Sequence, residues 1–312
     1  MSLAIIFPGQ GSQAIGMGKA LHDAYPESRE VFREVDDALG EKLSALMFDG
    51  SIEELTRTAN AQPALMAVSM AALRALESEG FNVSDAGYAA GHSLGEYSAL
   101  AATGSLGLSE TARLLRIRGT AMQDAVPEGE GAMAAILGLD LDAVQALCDE
   151  IREGSVCEPA NDNGGGQIVI SGTAAAVARA VELAGARGAK RAIPLSVSAP
   201  FHCSLMQPAA DRMAEALKHV TISQPVIPVI TNVTADATRD PDAIRTRLVE
   251  QVTGSVRWRE TMMFAAGEGV TDLAEIGSGK VLSGLARRID KRLGARPVGT
   301  PEDIAAFLKE RS

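Results

Sequence analysis

Residues 91–95 read Gly-His-Ser-Leu-Gly, and few folds can hold that pentapeptide. In the G-x-S-x-G pattern the serine occupies a sharp strand-to-helix turn with unusual backbone angles. Side chains two residues before and after would collide, so glycine is needed at both places. Residues 86–90 supply a short small-residue strand, and "GEYSALAAT" supplies the helix. This predicts an α/β protein. The 31 glycines and the scarcity of aromatics (4%) suit close packing of helix on strand. A Gly/Ser turn without chemistry has the same composition, so the pentapeptide needs support from elsewhere in the chain.

Strand and helix patterns alternate along most of the sequence. "LAIIF" (3–7) reads as a buried first strand that runs into the glycine-punctuated loop "PGQGSQ". Residues 17–80 read as helices with charges on one side and Leu, Ala and Met on the other. Residues 131–195 differ. "GAMAAILGL" reads as a strand, "DLDAVQALCDEIRE" as a helix and "SVCEPAND" as a strand. After "NGGG" come the strand "QIVISG", the helix "TAAAVARAVELAGARG" and the strand "AKRAIPLSV". The order β-α-β-β-α-β is ferredoxin-like, with 161–166 as the hairpin between the two central strands. It predicts a small domain at 129–197, inserted into a large domain made of 1–128 and 198–312. Beyond it, "VIPVITNV" (226–233) and "VTDLAEIG" (270–277) read as strands, and "EDIAAFLKER" as a closing helix. Such alternation implies a mostly parallel sheet covered on both faces.

Charge and motif spacing narrow the function classes. Lys and Arg number 29 against 40 Asp and Glu, a net charge of −11, so no nucleic-acid partner is expected. No apolar run approaches the ~18 residues of a membrane span. The start "MSLAIIFPGQG" has no basic n-region of a signal peptide, and the expected location is cytoplasmic. Cys148, Cys157 and Cys203 fit a reducing compartment better than a disulfide framework. They have no metal-ligand spacing, and no metal site is expected. Two phosphate-loop look-alikes fail. In "GQGSQ" a dinucleotide loop would need glycine at 14, where Ala14 stands. In "GSGK" (277–280) a Walker loop would begin at Ala274, and Val281 replaces its Ser/Thr.

If Ser93 is a nucleophile it needs a base, and the chain has four histidines. His92 is the neighbour of Ser93 and its side chain should diverge. His22 and His219 lie in polar helical contexts, where a surface position is the default. His202, in "SVSAPFHCSLM", follows a predicted strand and a proline, and strand ends in α/β sheets gather ligand sites. His202 is therefore the best base. Cys203 beside it reads as a small buried residue.

Arg118 is the second anomaly. On the helix "ARLLRIRGTAMQ" (112–123), Leu114, Leu115, Ile117, Ala121 and Met122 span an apolar arc of roughly 160°. Arg113 and Arg116 fall opposite, as solvated residues should. Arg118 falls inside the arc. A guanidinium there must find an anion. Two anions qualify: an internal Asp or Glu, or the carboxylate of a substrate held by the two-pronged donor.

With these residues in place, the chain resembles the malonyl-CoA:acyl carrier protein transacylases of fatty-acid synthesis. Seven ordered motifs carry the resemblance: "FPGQGSQ" (7–13), "GHSLGEY" (91–97), "RIRGTAMQ" (116–123), "NDNGGGQIVISG" (161–172), "SAPFHCSLM" (198–206), "QVTGSVRW" (251–258) and "EIGSGKVLSGL" (275–285). The resemblance implies a hydrolase-like parallel sheet core with an inserted ferredoxin-like small domain, and an active site in the cleft between them. It implies a ping-pong transfer of malonyl from malonyl-CoA to the phosphopantetheine thiol of acyl carrier protein. Ser93 would carry the malonyl ester, and His202 would act as base. The backbone amides of Gln10 and Leu94 would form the oxyanion hole. Arg118 would bind the malonyl carboxylate, and the main-chain carbonyl of Gln251 would orient His202. His92 and Asn163 would line the substrate pocket, and Phe201 would crowd out α-methyl substituents. No cofactor beyond CoA substrates is implied.

An acidic carrier protein would need a local basic face on this acidic chain. Arg187, Lys190 and Arg191 on the small domain are candidates, as are Arg287, Arg288, Lys291 and Arg292 in "LARRIDKRLG". Ordinary solvated helix charge is the alternative. Two rival functions remain: a serine esterase or thioesterase, and a carrier-binding scaffold with a dead site. The first lacks an obvious catalytic acid and gives no reason for a buried arginine. The second gives no reason for Ser93, His202 and Arg118 together.

Overall fold

The computed structural model describes residues 2–151 and 154–311, and two sheets organise them. The first contains β1 (Ser2–Phe7) and β2 (Tyr88–Gly91). The second sheet is formed by β3 (Gly131–Leu137), β4 (Cys157–Asp162), β5 (Gln167–Thr173) and β6 (Arg191–Pro194). The chain then returns to the first sheet with β7 (Val229–Ile230), β8 (Ala237–Thr238), β9 (Val270–Ile276) and β10 (Gly294–Val298). The first sheet runs β10-β9-β1-β2-β7-β8, parallel throughout except for β8. The second runs β4-β5-β3-β6 and is antiparallel. The parallel core with a β-α-β-β-α-β antiparallel unit is the architecture expected from the sequence.

Both sheets are built by burial on alternating faces. In β3, Ala134 and Ile136 pack under the helices Leu141–Ile151 and Ala174–Ala184. Met133 and Ala135, on the other face, turn to the large core and to a cleft beside Ser93. The antiparallel sheet thus roofs the C-terminal ends of β1 and β2, where ligand sites of open parallel sheets collect. A main-chain seam ties roof to base. Asp162 N–H donates to Val256 O at 2.9 Å, and Val256 N–H donates to Ala160 O at 2.8 Å.

Several expectations need correction. The predicted strand 226–233 is reduced to Val229–Ile230. Pro228 interrupts it, since proline cannot donate to a ladder. Beyond Ile230 the chain peels away, and Asn232 turns its side chain to the serine turn. The strands β8 and β10 lack a legible pattern and were not expected. The helix Thr58–Ser78 is not amphipathic: sixteen of its 21 residues are buried, because it runs through the middle of the large core. Arg116 is partly buried rather than fully solvated. It donates to Ala59 O and to Asn60 Oδ1, both at 2.6 Å, and pairs with Glu41. The predicted helix 140–153 is observed as Leu141–Ile151, and its last two positions lie outside the described residues, as do residues 1 and 312.

The turn itself shows why glycine brackets Ser93. A Cβ on Gly91 would lie 1.9 Å from the carbonyl carbon of Gly95, and one on Gly95 would lie 2.3 Å from Phe7 O. Gly284, on the exposed side of the helix Val281–Ile289, has open space around its Cβ position. The two sites should respond with opposite sign in urea unfolding. Gly95→Ala should lose about 3 kcal/mol through overpacking against backbone that cannot yield. Gly284→Ala should gain about 1 kcal/mol. A neutral Gly95→Ala would contradict the steric account of the turn.

Candidate active site

Ser93 leaves β2 with φ of 53°, a left-handed conformation that costs a non-glycine residue energy. Asn232 holds it there. Its Oδ1 accepts from the Ser93 N–H at 2.7 Å, and its Nδ2 donates to Gly91 O at 2.7 Å, so one side chain spans the turn. The helix Gly95–Ala102 follows directly and is buried along its whole length. Its N-terminus points back at the serine, where amide hydrogens favour developing negative charge.

His202 meets Ser93 across the cleft. Nε2 lies 2.7 Å from Ser93 Oγ. Nδ1 lies 2.9 Å from Gln251 O and 3.2 Å from Gly254 O. Both partners of Nδ1 are carbonyls, so Nδ1 carries the proton and Nε2 presents its lone pair to the serine hydroxyl. Main-chain oxygens thus do the orienting that a carboxylate does in a Ser-His-Asp triad. His202 also has a left-handed backbone, with φ of 59°. Burial holds its pKa down at about 3, and the Arg118 charge pushes the same way, while the two carbonyl bonds oppose them. The imidazole is therefore neutral and ready to accept a proton.

Arg118 is 1% exposed. Among the described residues no carboxylate forms a hydrogen-bonded ion pair with it, and the buried Glu96 acts on it through space. Nη1 donates to Gln62 Oε1 at 2.7 Å, and Nη2 donates to Gln251 Oε1 at 2.9 Å and to Ser93 Oγ at 3.2 Å. Nε has no partner. The guanidinium is thus held by two neutral amide oxygens, with a donor aimed at the serine. Gln62 passes the connection on: its Nε2 donates to Thr58 Oγ1 at 3.3 Å, and that hydroxyl donates to Gln10 Oε1 at 2.6 Å.

One cleft of about 370 Å³ is lined by Gln10, His92, Ser93, Leu94, Arg118, Asn163, Phe201 and His202. Gln251 lies behind it, fully buried. The amides of Gln10 and Leu94 donate to no main-chain acceptor among the described residues, and both residues line the cleft with Ser93. A Cβ on Gly9 would strike His92 O at 2.7 Å, so glycine lets the Gln10 loop approach the serine turn. His92 diverges from Ser93 as expected. Its Nε2 bonds Asn163 Oδ1 at 2.9 Å, its ring lies 5.5 Å from that of Trp258, and burial depresses its pKa. Cys203 is buried with its thiol pushed up to about 11. His22 touches Phe32 and Phe48, far from this chemistry, and His219 is exposed.

Sequence reasoning missed Gln62, Asn232 and Glu96. Gln62 carried a faint signal, as a polar residue at the start of the apolar run "PALMAVSMAAL". Glu96 is buried with its pKa raised to about 7, first by burial. The look-alike loop "GSGK" is closed to phosphate. Glu275 accepts from the Leu282 N–H at 3.0 Å and the Ser283 N–H at 2.7 Å, taking the helix N-terminal donors a phosphate would need.

Of the basic candidates, Arg187 pairs with Glu150, and Arg292 pairs with Asp290 at 2.6 Å. Lys190, Arg191, Arg287 and Arg288 are exposed without an acidic partner among the described residues. Arg287 and Arg288 end the helix Val281–Ile289, whose Val281, Leu282 and Leu285 form one wall of the cleft.

The acyl transferase domain model matches residues 4–281. The malonyl CoA-acyl carrier protein transacylase of Bacillus subtilis is 49% identical over 308 residues, which cover 98% of this chain and 96% of that protein. Among solved structures, the acyl-carrier-protein-S-malonyltransferase of Bartonella henselae superposes with a TM-score of 0.97 at 58% identity, covering 99% of both chains. A malonyl-transacylase in complex with a type II PKS acyl-carrier protein superposes with a TM-score of 0.96 at 44% identity, covering 99% of this chain and all of the other. With the serine turn and its facing histidine, these likenesses place the chain in the acyl transferase domain family, among the malonyl CoA-acyl carrier protein transacylases.

Proposed function

We propose that the chain transfers malonyl from malonyl-CoA to the phosphopantetheine thiol of acyl carrier protein through a malonyl-Ser93 ester. The observation that carries this reading is Arg118: a buried guanidinium whose hydrogen bonds among the described residues go to neutral oxygens, with one donor 3.2 Å from the nucleophile. A carboxylate on the acyl group completes it. Ser93 Oγ attacks the thioester carbonyl and gives its proton to His202 Nε2. The amides of Gln10 and Leu94 receive the oxyanion. The carbon–sulfur bond breaks, and the CoA sulfur takes the proton from His202. In the second half, the carrier thiol gives its proton to His202 and attacks the ester. Ser93 leaves as the alkoxide and recovers that proton.

Asn163 and His92 line the acyl pocket, and Phe201 narrows it. The division into 1–128 with 198–312 and 129–197 puts the antiparallel unit over the pocket as a separate small domain. No cofactor enters these steps, and the cytoplasm is the compartment that suits the substrates. Among the described residues no helix is long and apolar enough to cross a membrane.

Intact-mass measurement tests the reading directly. The chain should gain one malonyl group at Ser93 when mixed with malonyl-CoA and lose it when holo carrier protein is added. Free malonate released quickly without carrier would favour a hydrolase, and no adduct would favour a scaffold.

The depressed His202 pKa gives a second expectation. A histidine whose charged form is disfavoured stays a competent base below the ordinary imidazole value of about 6.5. The acid limb of kcat/KM for acyl loading should therefore lie well below that value. Removing the Arg118 charge must raise the His202 pKa. With acetyl-CoA as common substrate, Arg118→Met should move the acid limb upward. A limb that stays in place or moves down would contradict the electrostatic assignment.

Lys190, Arg191, Arg287 and Arg288 are assigned to the carrier-binding face. Reversing these four charges should raise KM for the carrier about tenfold and leave the malonyl loading step unchanged. Equal effects on both half-reactions, or on neither, would remove the assignment.

A further inference from the structure

One buried carboxylate beside Ser93 has no task in the transfer just described. Glu96 sits on the first turn of the helix Gly95–Ala102 and is 1% exposed. Its Oε2 accepts from the Asn232 backbone N–H at 3.0 Å and from Gln251 Nε2 at 2.8 Å, while Oε1 has no partner among the described residues. Those two partners are the residues that hold the reacting groups. Asn232 clamps the Ser93 turn from both sides. Gln251 donates Nε2 to Ser93 O at 3.0 Å, accepts from Arg118 with Oε1, and orients His202 with its main-chain oxygen.

A glutamine amide can sit either way round, with its NH₂ and its oxygen exchanged. Only one way round serves Arg118, because a guanidinium has donors and no acceptor. The Glu96 oxygen at 2.8 Å, the Ser93 carbonyl at 3.0 Å and, more weakly, Asn232 Oδ1 at 3.3 Å all take the NH₂ end, which leaves Oε1 facing Arg118. We propose that Glu96 is a positioning residue for the transfer reaction: it fixes the Gln251 amide and the Asn232 clamp, and through them aligns Ser93, His202 and Arg118.

The role requires an acceptor at Oε2 rather than a negative charge. Arg118 and Arg247 are the cations that favour ionised Glu96, while burial opposes ionisation and prevails. A protonated carboxyl still offers its carbonyl oxygen, and so does glutamine. Leucine has the volume but no acceptor, so the Gln251 NH₂ loses the shortest of its three contacts and keeps only Ser93 O at 3.0 Å and Asn232 Oδ1 at 3.3 Å.

The inference rests on the transfer reading, and the test separates the two. Wild type, Glu96→Leu and Glu96→Gln are mixed with malonyl-CoA or acetyl-CoA, and intact mass counts the loaded Ser93 sites. Rates are then expressed per loadable site, so loss of folded protein does not count. Glu96→Leu should lower kcat per site about tenfold and reduce the malonyl-over-acetyl loading preference about fivefold, since Arg118 loses an anchor. Glu96→Gln should restore both to within about threefold of wild type. Wild-type rate and preference per site in Glu96→Leu would show a merely structural carboxylate and overturn the proposal. If Glu96→Leu does not fold, Glu96→Asp is measured the same way. It keeps a carboxyl group but withdraws the oxygens by one methylene, so reduced rate and preference support the proposal and wild-type values overturn it. A wild-type chain that takes up no malonyl group overturns the transfer reading, and this inference with it.

Discussion

Burying the Arg118 guanidinium without a hydrogen-bonded carboxylate among the described residues sets the terms for everything around Ser93. Removing such a charge from water costs several kcal/mol, and the cost must be offset by hydrogen bonds. The fold provides two amide oxygens, from Gln62 on one helix and Gln251 on another. Each amide must then be held the right way round. Thr58 fixes Gln62, and Glu96 together with the Ser93 carbonyl fixes Gln251. An internal Asp or Glu would have satisfied the arginine at once and left nothing for a ligand. Holding it with neutral oxygens keeps its charge available in the cleft.

The same economy governs the serine and the histidine. Both have left-handed backbones, a conformation that persists only where the surroundings over-determine it. Asn232 clamps the first, and the Gln251 and Gly254 carbonyls clamp the second. Gln251 therefore serves three groups at once: its side chain reaches Arg118 and Ser93, and its main chain reaches His202. Glycines at 91 and 95 let backbone segments approach within distances that any side chain would forbid. The antiparallel sheet contributes the opposite wall and the His92–Asn163 contact. Strain, charge and close approach are thus concentrated at one point on the C-terminal edge of the parallel strands.

Much of this was legible in the sequence because it depended on local spacing. The glycine pair around Ser93 is a steric requirement written in five residues. Arg118 announced itself by falling on the wrong side of a helix. The β-α-β-β-α-β order followed from alternating apolar periods. What escaped were contacts between distant segments. Asn232 stands at the end of a two-residue strand, and no period reveals that its side chain crosses to the serine turn. Glu96 read as an ordinary polar residue near a helix start, although tertiary packing buries it. The helix Thr58–Ser78 was misread because its few polar residues suggested a solvated face, whereas Gln62 and Thr58 point at the arginine network. Arg116 was misread for a related reason. Helix phase places a residue on a side, but the carbonyl of Ala59 that satisfies it belongs to another helix.

The central claim is that Arg118 is kept out of hydrogen-bonded ion pairs with internal carboxylates in order to hold one on the acyl group. Calorimetric titration of the Ser93→Ala chain tests it without turnover. Malonyl-CoA and acetyl-CoA differ only in that carboxylate, so the ratio of their dissociation constants isolates it. The account predicts that malonyl-CoA binds at least about tenfold more tightly, a difference of about 1.4 kcal/mol, and that adding Arg118→Met abolishes the difference. Equal affinities for the two ligands, or a preference that survives loss of the arginine, would contradict it.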